Sequence, residues 1–147
     1  MIQSHELTTD NEIIAAFPLM HQLRPHLIAA TFLETVRTQQ NAGYVLFAGT
    51  MESSYMVLAG VRNAQTLMRG PHLFVDDLVT LESERGQGHG TAMLQWLADY
   101  AARQGFRKIY LDSRDTAVGF YRRAGFTMTT AVPSWKEVKC DHRPANK

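Results

Sequence analysis

Three glycines at alternate positions, Gly86, Gly88 and Gly90, lie between an apolar run and a stretch with helical periodicity. Glycine has no Cβ, so it adopts positive φ and lets a ligand approach the backbone closely. The N–H groups that begin a helix have no partner within that helix, and together with the helix dipole they favour phosphate. The pattern therefore predicts a loop that binds a phosphate or pyrophosphate. The alternative is a flexible turn without a ligand.

Two phosphate-binding motifs can be compared with this loop. A P-loop is excluded, because no Gly-Lys-Ser or Gly-Lys-Thr closes the motif. A dinucleotide loop requires Gly-x-Gly-x-x-Gly, but Thr91 stands three residues after Gly88. Asp112, near the end of the next predicted strand, is placed where a ribose-binding carboxylate could stand. A dinucleotide enzyme therefore stays open as an alternative.

Two adjacent carboxylates, Asp76 and Asp77, interrupt the apolar run 73–81. Burying acids inside an apolar strand is costly unless they serve a function or find a partner. Because successive strand residues face opposite sides, we expect one of the two to face a cleft. The structural alternative is that the acids pair with Arg62, Arg69 or a backbone N–H.

Hydrophobic periodicity predicts a mixed α/β (α+β) sheet that positions these residues. A capping box of Thr9 and Glu12 starts the first helix, which Pro18 should shorten or kink. Further helices are expected from Pro25 to about residue 40, over 91–104 and over 115–124. The predicted strands span residues 2–7, 43–48, 54–62, 73–81, 108–112 (fully buried), 126–132 and 135–138.

Composition predicts one soluble domain over residues 1–147, with a flexible tail from about 141. The net charge of +1 gives no long-range electrostatic attraction to nucleic acid. The sequence contains no run of 18 apolar residues that would predict a membrane span. The single cysteine, Cys140, excludes an internal disulfide, and the histidines show no metal-ligand spacing. The start of the chain lacks signal-peptide character, so a cytoplasmic location is expected.

Two motifs together resemble the GNAT superfamily of acyl-CoA-dependent N-acetyltransferases. Residues 85–90 read Arg-x-x-Gly-x-Gly, similar to the pyrophosphate loop of that family. Residues 117–126 read Ala-x-x-Phe-Tyr-x-x-x-Gly-Phe, similar to a helix further along the family's chain. The stretch Leu-Arg-Pro-His-Leu at 23–27 also looks like a bacterial subset of small single-domain members.

The resemblance implies a fold and a co-substrate. The fold is a mostly antiparallel, twisted sheet of about six to seven strands with one β-α-β crossover and about four helices. The fourth and fifth strands would splay apart to admit the pantetheine arm, and the fourth would carry a bulge that could alter which acid faces the cleft. Acetyl-CoA would be the co-substrate and no metal would be needed. A homodimer is common in the family.

The resemblance also implies positions that bind acetyl-CoA. The strand backbone would pair with the pantetheine arm, the Val79 N–H would polarise the thioester oxygen, and loop amides would bind the pyrophosphate. Arg114 stands where many members carry an asparagine, and a guanidinium cannot accept a hydrogen bond, so that contact must differ. The ring of His89 is expected to be exposed. The residues are Leu78, Val79, Thr80, Arg85, Gly86, Gln87, Gly88, His89, Gly90, Thr91 and Arg114.

Acetylating an amine requires a proton acceptor and a proton donor. An amine with a pKa of about 10.4 is mostly charged at pH 7, which adds about 4–5 kcal/mol to the barrier. Asp76 is the expected base, through a water, because it stands nine residues before Arg85, where some polyamine acetyltransferases place a glutamate. Asp77 would orient the substrate or act structurally, and His72 is an alternative base. Tyr121 would protonate the leaving thiolate.

The expected function is therefore transfer of an acetyl group from acetyl-CoA to a primary amine by direct attack in a ternary complex. Two acids near the cleft favour a small cationic amine, and a peptide or lysine amine stays open. No nucleic acid or membrane partner is expected. The alternatives are a CoA-sensing module without turnover and the dinucleotide enzyme.

Overall fold

The computed structural model describes residues 1–140 and contains a sheet of five strands in the order β1-β2-β3-β4-β5. All neighbouring strands are antiparallel except β4 and β5, which are parallel. The strands are β1 (Gln3–Glu6), β2 (Tyr44–Met51), β3 (Ser54–Thr66), β4 (Gly70–Thr80) and β5 (Ile109–Leu111). The helices are α1 (Asp10–Ala15), α2 (Phe17–Leu23), α3 (Ala29–Asn41), α4 (His89–Arg103) and α5 (Val118–Arg123). The mixed α/β prediction is confirmed.

The chain falls into two units. The first, Met1–Ser113, contains the whole sheet and helices α1 to α4. The second begins at Arg114 and contains α5, preceded by a 3₁₀ turn over Asp115–Ala117.

Local sequence signals explain several element boundaries. At the capping box, the Glu12 N–H donates to Thr9 Oγ1 at 3.2 Å and the Thr9 N–H donates to Glu12 Oε1 at 3.0 Å. Pro18 lies in the first turn of α2, where its missing N–H costs no helical hydrogen bond. Glu52 and Ser53 join β2 to β3 with φ of 50° and 67°, a two-residue turn that matches the twist of the strands.

The sheet is covered on both faces. Helices α1 to α3 cover one face with a core that includes Leu7, Ile13, Leu19, Phe32, Leu46, Leu58 and Val79. Helix α4 packs against β3 and β4. Because side chains alternate along β2, Phe47 faces away from Leu46, and its ring lies 4.8 Å from Trp96 and 5.0 Å from Tyr100 on α4. Each fully buried side chain of this size stabilises the fold by about 1.5–3 kcal/mol.

Strands β4 and β5 separate after a short contact, as expected. Only Leu73, Phe74 and Val75 of β4 pair with β5. Strand β4 then continues to Thr80 without β5 beside it. The first unit therefore has an open strand edge over residues 76–80.

Three predictions about the elements are wrong. Residues 126–132 and 135–138 form no strand; Val132, Trp135 and Val138 are 79%, 85% and 78% exposed. Alternating apolar residues form a strand only where a partner strand and a covering layer are present, and the described part of this segment has neither. Strand β5 is partly, not fully, buried.

Helix α3 also begins at Ala29, later than predicted from Pro25. Residues 24–28 instead contain a turn, in which the Leu27 N–H donates to the Arg24 carbonyl at 3.1 Å. Ile28 is extended at the N-cap of α3, with φ −117° and ψ 129°. The predicted tail from residue 141 lies outside the described residues.

Candidate active site

A β-bulge in β4 places both acids on one face of the sheet. Asp77 pairs with Gly60 of β3 and Val75 pairs with Val61, so Asp76 is an extra residue with no partner on β3. An extra residue interrupts the alternation of side chains. Asp76 and Asp77 accordingly line the same cavity on the side of α2 and α3. The expectation that one acid alone faces the cleft, made for a regular strand, is therefore wrong.

The bulge also reverses the direction of the backbone groups that follow it. The Leu73 N–H donates to the Lys108 carbonyl at 3.1 Å, toward β5. The Leu81 N–H donates to the Met56 carbonyl at 2.8 Å, toward β3. Both residues are odd-numbered, so in an unbroken strand both N–H groups would point to the same side.

Beyond the bulge, the backbone of Leu78 and Thr80 therefore points to the open edge. An independent contact agrees: the Thr80 carbonyl accepts a hydrogen bond from Gln22 Nε2 of α2 at 3.3 Å. By the same alternation the Val79 N–H faces β3, where Leu58 is its partner residue. The Val79 N–H, which was expected to polarise the thioester oxygen, is thus directed away from the open edge. The N–H groups of Leu78 and Thr80 point toward that edge instead.

Asp77 is clamped by two donors. The Tyr44 hydroxyl donates to Oδ2 at 2.7 Å, and Arg24 Nε donates to Oδ1 at 3.0 Å. Arg24 Nη2 lies 2.9 Å from the same Oδ1 and donates to the Asp76 backbone carbonyl at 2.9 Å. Burial, together with the Asp77 carboxylate, raises the pKa of Tyr44 well above that of an ordinary tyrosine, so the hydroxyl remains a donor. Gly60 makes room for this ring, because a Cβ there would lie 1.7 Å from the Tyr44 hydroxyl.

Asp76 is paired with Arg62 through two parallel hydrogen bonds. Arg62 Nε lies 2.6 Å from Oδ2 and Nη2 lies 2.8 Å from Oδ1. The hydrogen bond to Asp76 raises the pKa of Arg62, so the guanidinium stays charged. The side chain of Asp76 is 28% exposed, and a carboxylate oxygen accepts more than one hydrogen bond, so water can still reach it.

The cavity beside the acids has a volume of about 280 Å³. Its walls combine an apolar part with polar groups at the strand. The lining residues are Met20, Arg24, His26, Leu27, Phe32, Thr35, Val36, Gln39, Tyr44, Asp76 and Asp77. A larger surface groove of about 460 Å³, beside Arg37 and Gly43, contains none of the predicted site residues.

The glycine loop is open on the side of its backbone, as an anion site requires. Gly86 and Gly88 have φ of 83° and 84°, and a Cβ at either would meet no atom within 4 Å. Gly88 caps α4 without a side-chain hydrogen bond, and the first helical bond runs from the Ala92 N–H to the Gly88 carbonyl. The amides at the start of this helix therefore have no helical acceptor. Arg85, Gln87 and Thr91 are exposed around them.

His89 is buried, not exposed as expected, and is 8% accessible. Its Nε2 lies 3.4 Å from Glu84 Oε1 in the 3₁₀ turn Glu82–Glu84 that precedes the loop. The ring therefore links the two ends of the loop, while its backbone remains among the amides at the helix start.

Two predicted site residues belong to the second unit. Tyr121 lies on α5 with its ring 5.0 Å from Phe120 and 5.5 Å from Phe126. Burial raises the pKa of Tyr121, so its hydroxyl stays protonated at neutral pH. Arg114 is exposed at the start of the 3₁₀ turn that precedes α5.

His72, the alternative base, does not line the cavity. It is 1% exposed, its Nδ1 lies 2.8 Å from the Gly70 carbonyl oxygen and its ring contacts Tyr110 edge-on. Residues missed by the sequence analysis are Tyr44, Arg24 and Gly60. In the sequence, Tyr44 looks like an ordinary strand residue, since Asp77 is 33 positions away.

Among residues 1–140, no helix is long and apolar enough to cross a membrane. The same residues contain no group of three or more His, Cys, Asp or Glu side chains that could hold a metal ion.

Comparisons with known proteins give one consistent family. The model of the acetyltransferase (GNAT) family matches residues 8–126. The uncharacterized N-acetyltransferase YhdJ of Bacillus subtilis is 32% identical over 133 residues, which cover 87% of this chain and 94% of that protein.

Solved structures show the same fold. A GNAT family acetyltransferase from Staphylococcus aureus has a TM-score of 0.79 at 15% identity, covering 92% of this chain and 98% of that one. A predicted acetyltransferase from Clostridium acetobutylicum, solved with acetyl-CoA, has a TM-score of 0.67 at 16% identity, covering 95% of this chain and 96% of that one.

Replacing Gly88 by glutamate should abolish binding of CoA, because a carboxylate would enter the anion site and repel the pyrophosphate. Calorimetric titration with CoA measures this. Gly105→Glu is the matched control: Gly105 has a φ of 83°, and lies beyond the other end of α4. Normal CoA affinity in Gly88→Glu would contradict the anion site.

Proposed function

Since the chain belongs to the acetyltransferase (GNAT) family and is an acetyl-CoA-dependent acyltransferase, we propose that it acetylates a primary amine by direct attack in a ternary complex. The observation that carries this proposal is the arrangement of the first unit. An open strand edge with outward amides, an uncapped start of α4 and a cavity with two acids occur in one unit.

Acetyl-CoA would use the first two of these features. The pyrophosphate would accept hydrogen bonds from the amides of residues 87–91 at the start of α4, with the Arg85 side chain close in sequence. The pantetheine amides would pair with the outward backbone groups of Leu78 and Thr80, as an added strand does. We assign the thioester oxygen to the Leu78 N–H, which is the outward amide closer to the acids. Arg114 is proposed as a further phosphate contact.

The acceptor would occupy the cavity between α2, α3 and β4. Its amine would lie beside Asp76 and Asp77, which line the cavity together with apolar side chains such as Phe32 and Val36. Asp77 is held by Tyr44 and Arg24, so we assign it to orienting the amine. Asp76 would take up the ammonium proton through a water, since Arg62 already bonds both of its oxygens.

The reaction then proceeds by direct transfer. The neutral amine attacks the thioester carbon, so the C–N bond forms and the C–S bond breaks. The nitrogen then releases its remaining extra proton to solvent through the same water beside Asp76. The thiolate leaves and takes a proton from the Tyr121 hydroxyl, which regains one from solvent. Two proton transfers of this kind each contribute on the order of 10²–10⁴ in rate.

Release of free thiol from acetyl-CoA in the presence of a panel of primary amines tests the proposal. Amine-dependent thiol release is expected, with the acetylated amine identified by mass spectrometry. Binding of acetyl-CoA without thiol release for any amine would instead indicate a CoA-sensing module. Thermal stabilisation by NAD but not by acetyl-CoA would indicate the dinucleotide alternative.

Tyr121→Phe should lower kcat by about 10²-fold or more with little change in acetyl-CoA affinity, because the phenol acts on the leaving thiolate. In the wild type, the raised pKa of Tyr121 predicts no loss of rate from its ionisation below about pH 10. Tyr100→Phe is the control, since Tyr100 stacks on Trp96 of α4. Unchanged turnover in Tyr121→Phe would remove the acid assignment.

Asp76→Asn should lower kcat by about 10²-fold near neutral pH. The loss should shrink as the pH approaches about 10, because the acceptor amine is then neutral without a base. A pH–rate profile measures this, with Asp99→Asn on α4 as the control. A profile identical to that of the wild type would pass the base role to Asp77 or water.

A further inference from the structure

Three guanidinium groups and two carboxylates lie in the region of Asp76 and Asp77. The carboxylates of Asp76 and Asp77 are each paired with one guanidinium, from Arg62 and Arg24. Arg69 adds a third guanidinium near the same strands. These five groups sum to one positive charge, which does not favour an acceptor that is simply a polycation.

Arg69 stacks against a row of side chains that crosses the sheet. Arg62, Phe74 and Tyr110 are directly opposite one another on β3, β4 and β5, so they share the face on which Tyr44 lies. The Arg62 Cζ is 5.1 Å from the centre of the Phe74 ring. The Arg69 Cζ is 4.1 Å from the centre of the Tyr110 ring and 5.9 Å from that of Phe74.

Among residues 1–140, the guanidinium of Arg69 contacts aromatic rings and no carboxylate, whereas Arg24 and Arg62 each have an acid partner. Stacking uses the faces of the guanidinium and leaves its N–H groups at the edge, in the planar fork that suits a carboxylate or a phosphate. The residue is partly exposed, so a ligand can reach it.

We propose that Arg69 binds an anionic group, a carboxylate or a phosphate, of the same acceptor whose amine lies at Asp76 and Asp77. This rests on the proposed function and narrows its substrate class to amines that carry a negative charge at their other end. Phe74 precedes Asp76 by two residues on β4, or about 7 Å, so the amine and the anion should be about 7–10 Å apart.

Two pairs of synthetic acceptors of this length test the proposal. The first pair is 6-aminohexanoate and 6-aminohexanamide, which differ in a carboxylate; the second is 5-aminopentyl phosphate and 5-aminopentanol, which differ in a phosphate. In at least one pair, kcat/KM for the anionic member should exceed that for the neutral member by about tenfold or more. The pair that shows the preference identifies the anion.

Arg69→Gln should reduce this ratio to about one, and Arg69→Lys should restore part of it, because a lysine keeps the charge without the planar fork. Arg103→Gln is the matched control, because the Arg103 Cζ lies 5.9 Å from the centre of the Trp96 ring on α4. This substitution should leave the ratio unchanged. Thermal unfolding of each variant verifies that it is folded.

The affinity of the same four compounds is also measured by calorimetry in the presence of CoA, alongside turnover. A preference for the anionic member that Arg69→Gln abolishes supports the proposal, with or without turnover of that compound. No preference in either pair, or a preference that survives Arg69→Gln, overturns it. Failure of every amine to release thiol overturns the proposed function instead, since the binding ratio is measured independently of chemistry.

Discussion

Strand β4 contains one residue more than the stretch of β3 beside it, and this bulge at Asp76 shapes both parts of the candidate site. On the side-chain level it turns Asp76 and Asp77 toward the same cavity. On the backbone level it reverses the hydrogen-bonding direction, so the amides of Leu78 and Thr80 face the edge that β5 leaves open. A regular strand would present one acid to the cavity and would turn the amides of Val79 and Leu81, instead of those of Leu78 and Thr80, to the open edge.

The electrostatics of the cavity follow from how the two acids are held. Each carboxylate has a guanidinium partner, and Asp77 also accepts from Tyr44, whose ring fits because Gly60 has no side chain. Paired carboxylates orient an ammonium group and accept hydrogen bonds, but they do not give the cavity a net negative charge. Proton removal through a water and an acceptor with an anionic end are both consistent with this balance.

Local patterns predicted the parts of the fold that depend on neighbours in sequence. The capping box at Thr9, the glycine loop before α4 and the hairpin before Ser54 were all predicted from residue type and spacing. The family resemblance, resting on the two motifs at 85–90 and 117–126, predicted the splayed strands and the acyltransferase activity. The prediction of strands over 126–132 and 135–138 was wrong, because alternation of apolar residues alone supplies no partner strand. The Tyr44–Asp77 contact and the buried ring of His89 depend on tertiary packing.

Residue-resolved amide hydrogen exchange on β4, with and without acetyl-CoA, tests the reversed backbone most directly. The Val79 and Leu81 amides are bonded toward β3, so they should exchange slowly in both states. The Leu78 and Thr80 amides should exchange quickly without ligand and become protected when acetyl-CoA lies along the open edge. Protection gained at Val79 while Leu78 and Thr80 stay fast would contradict the account.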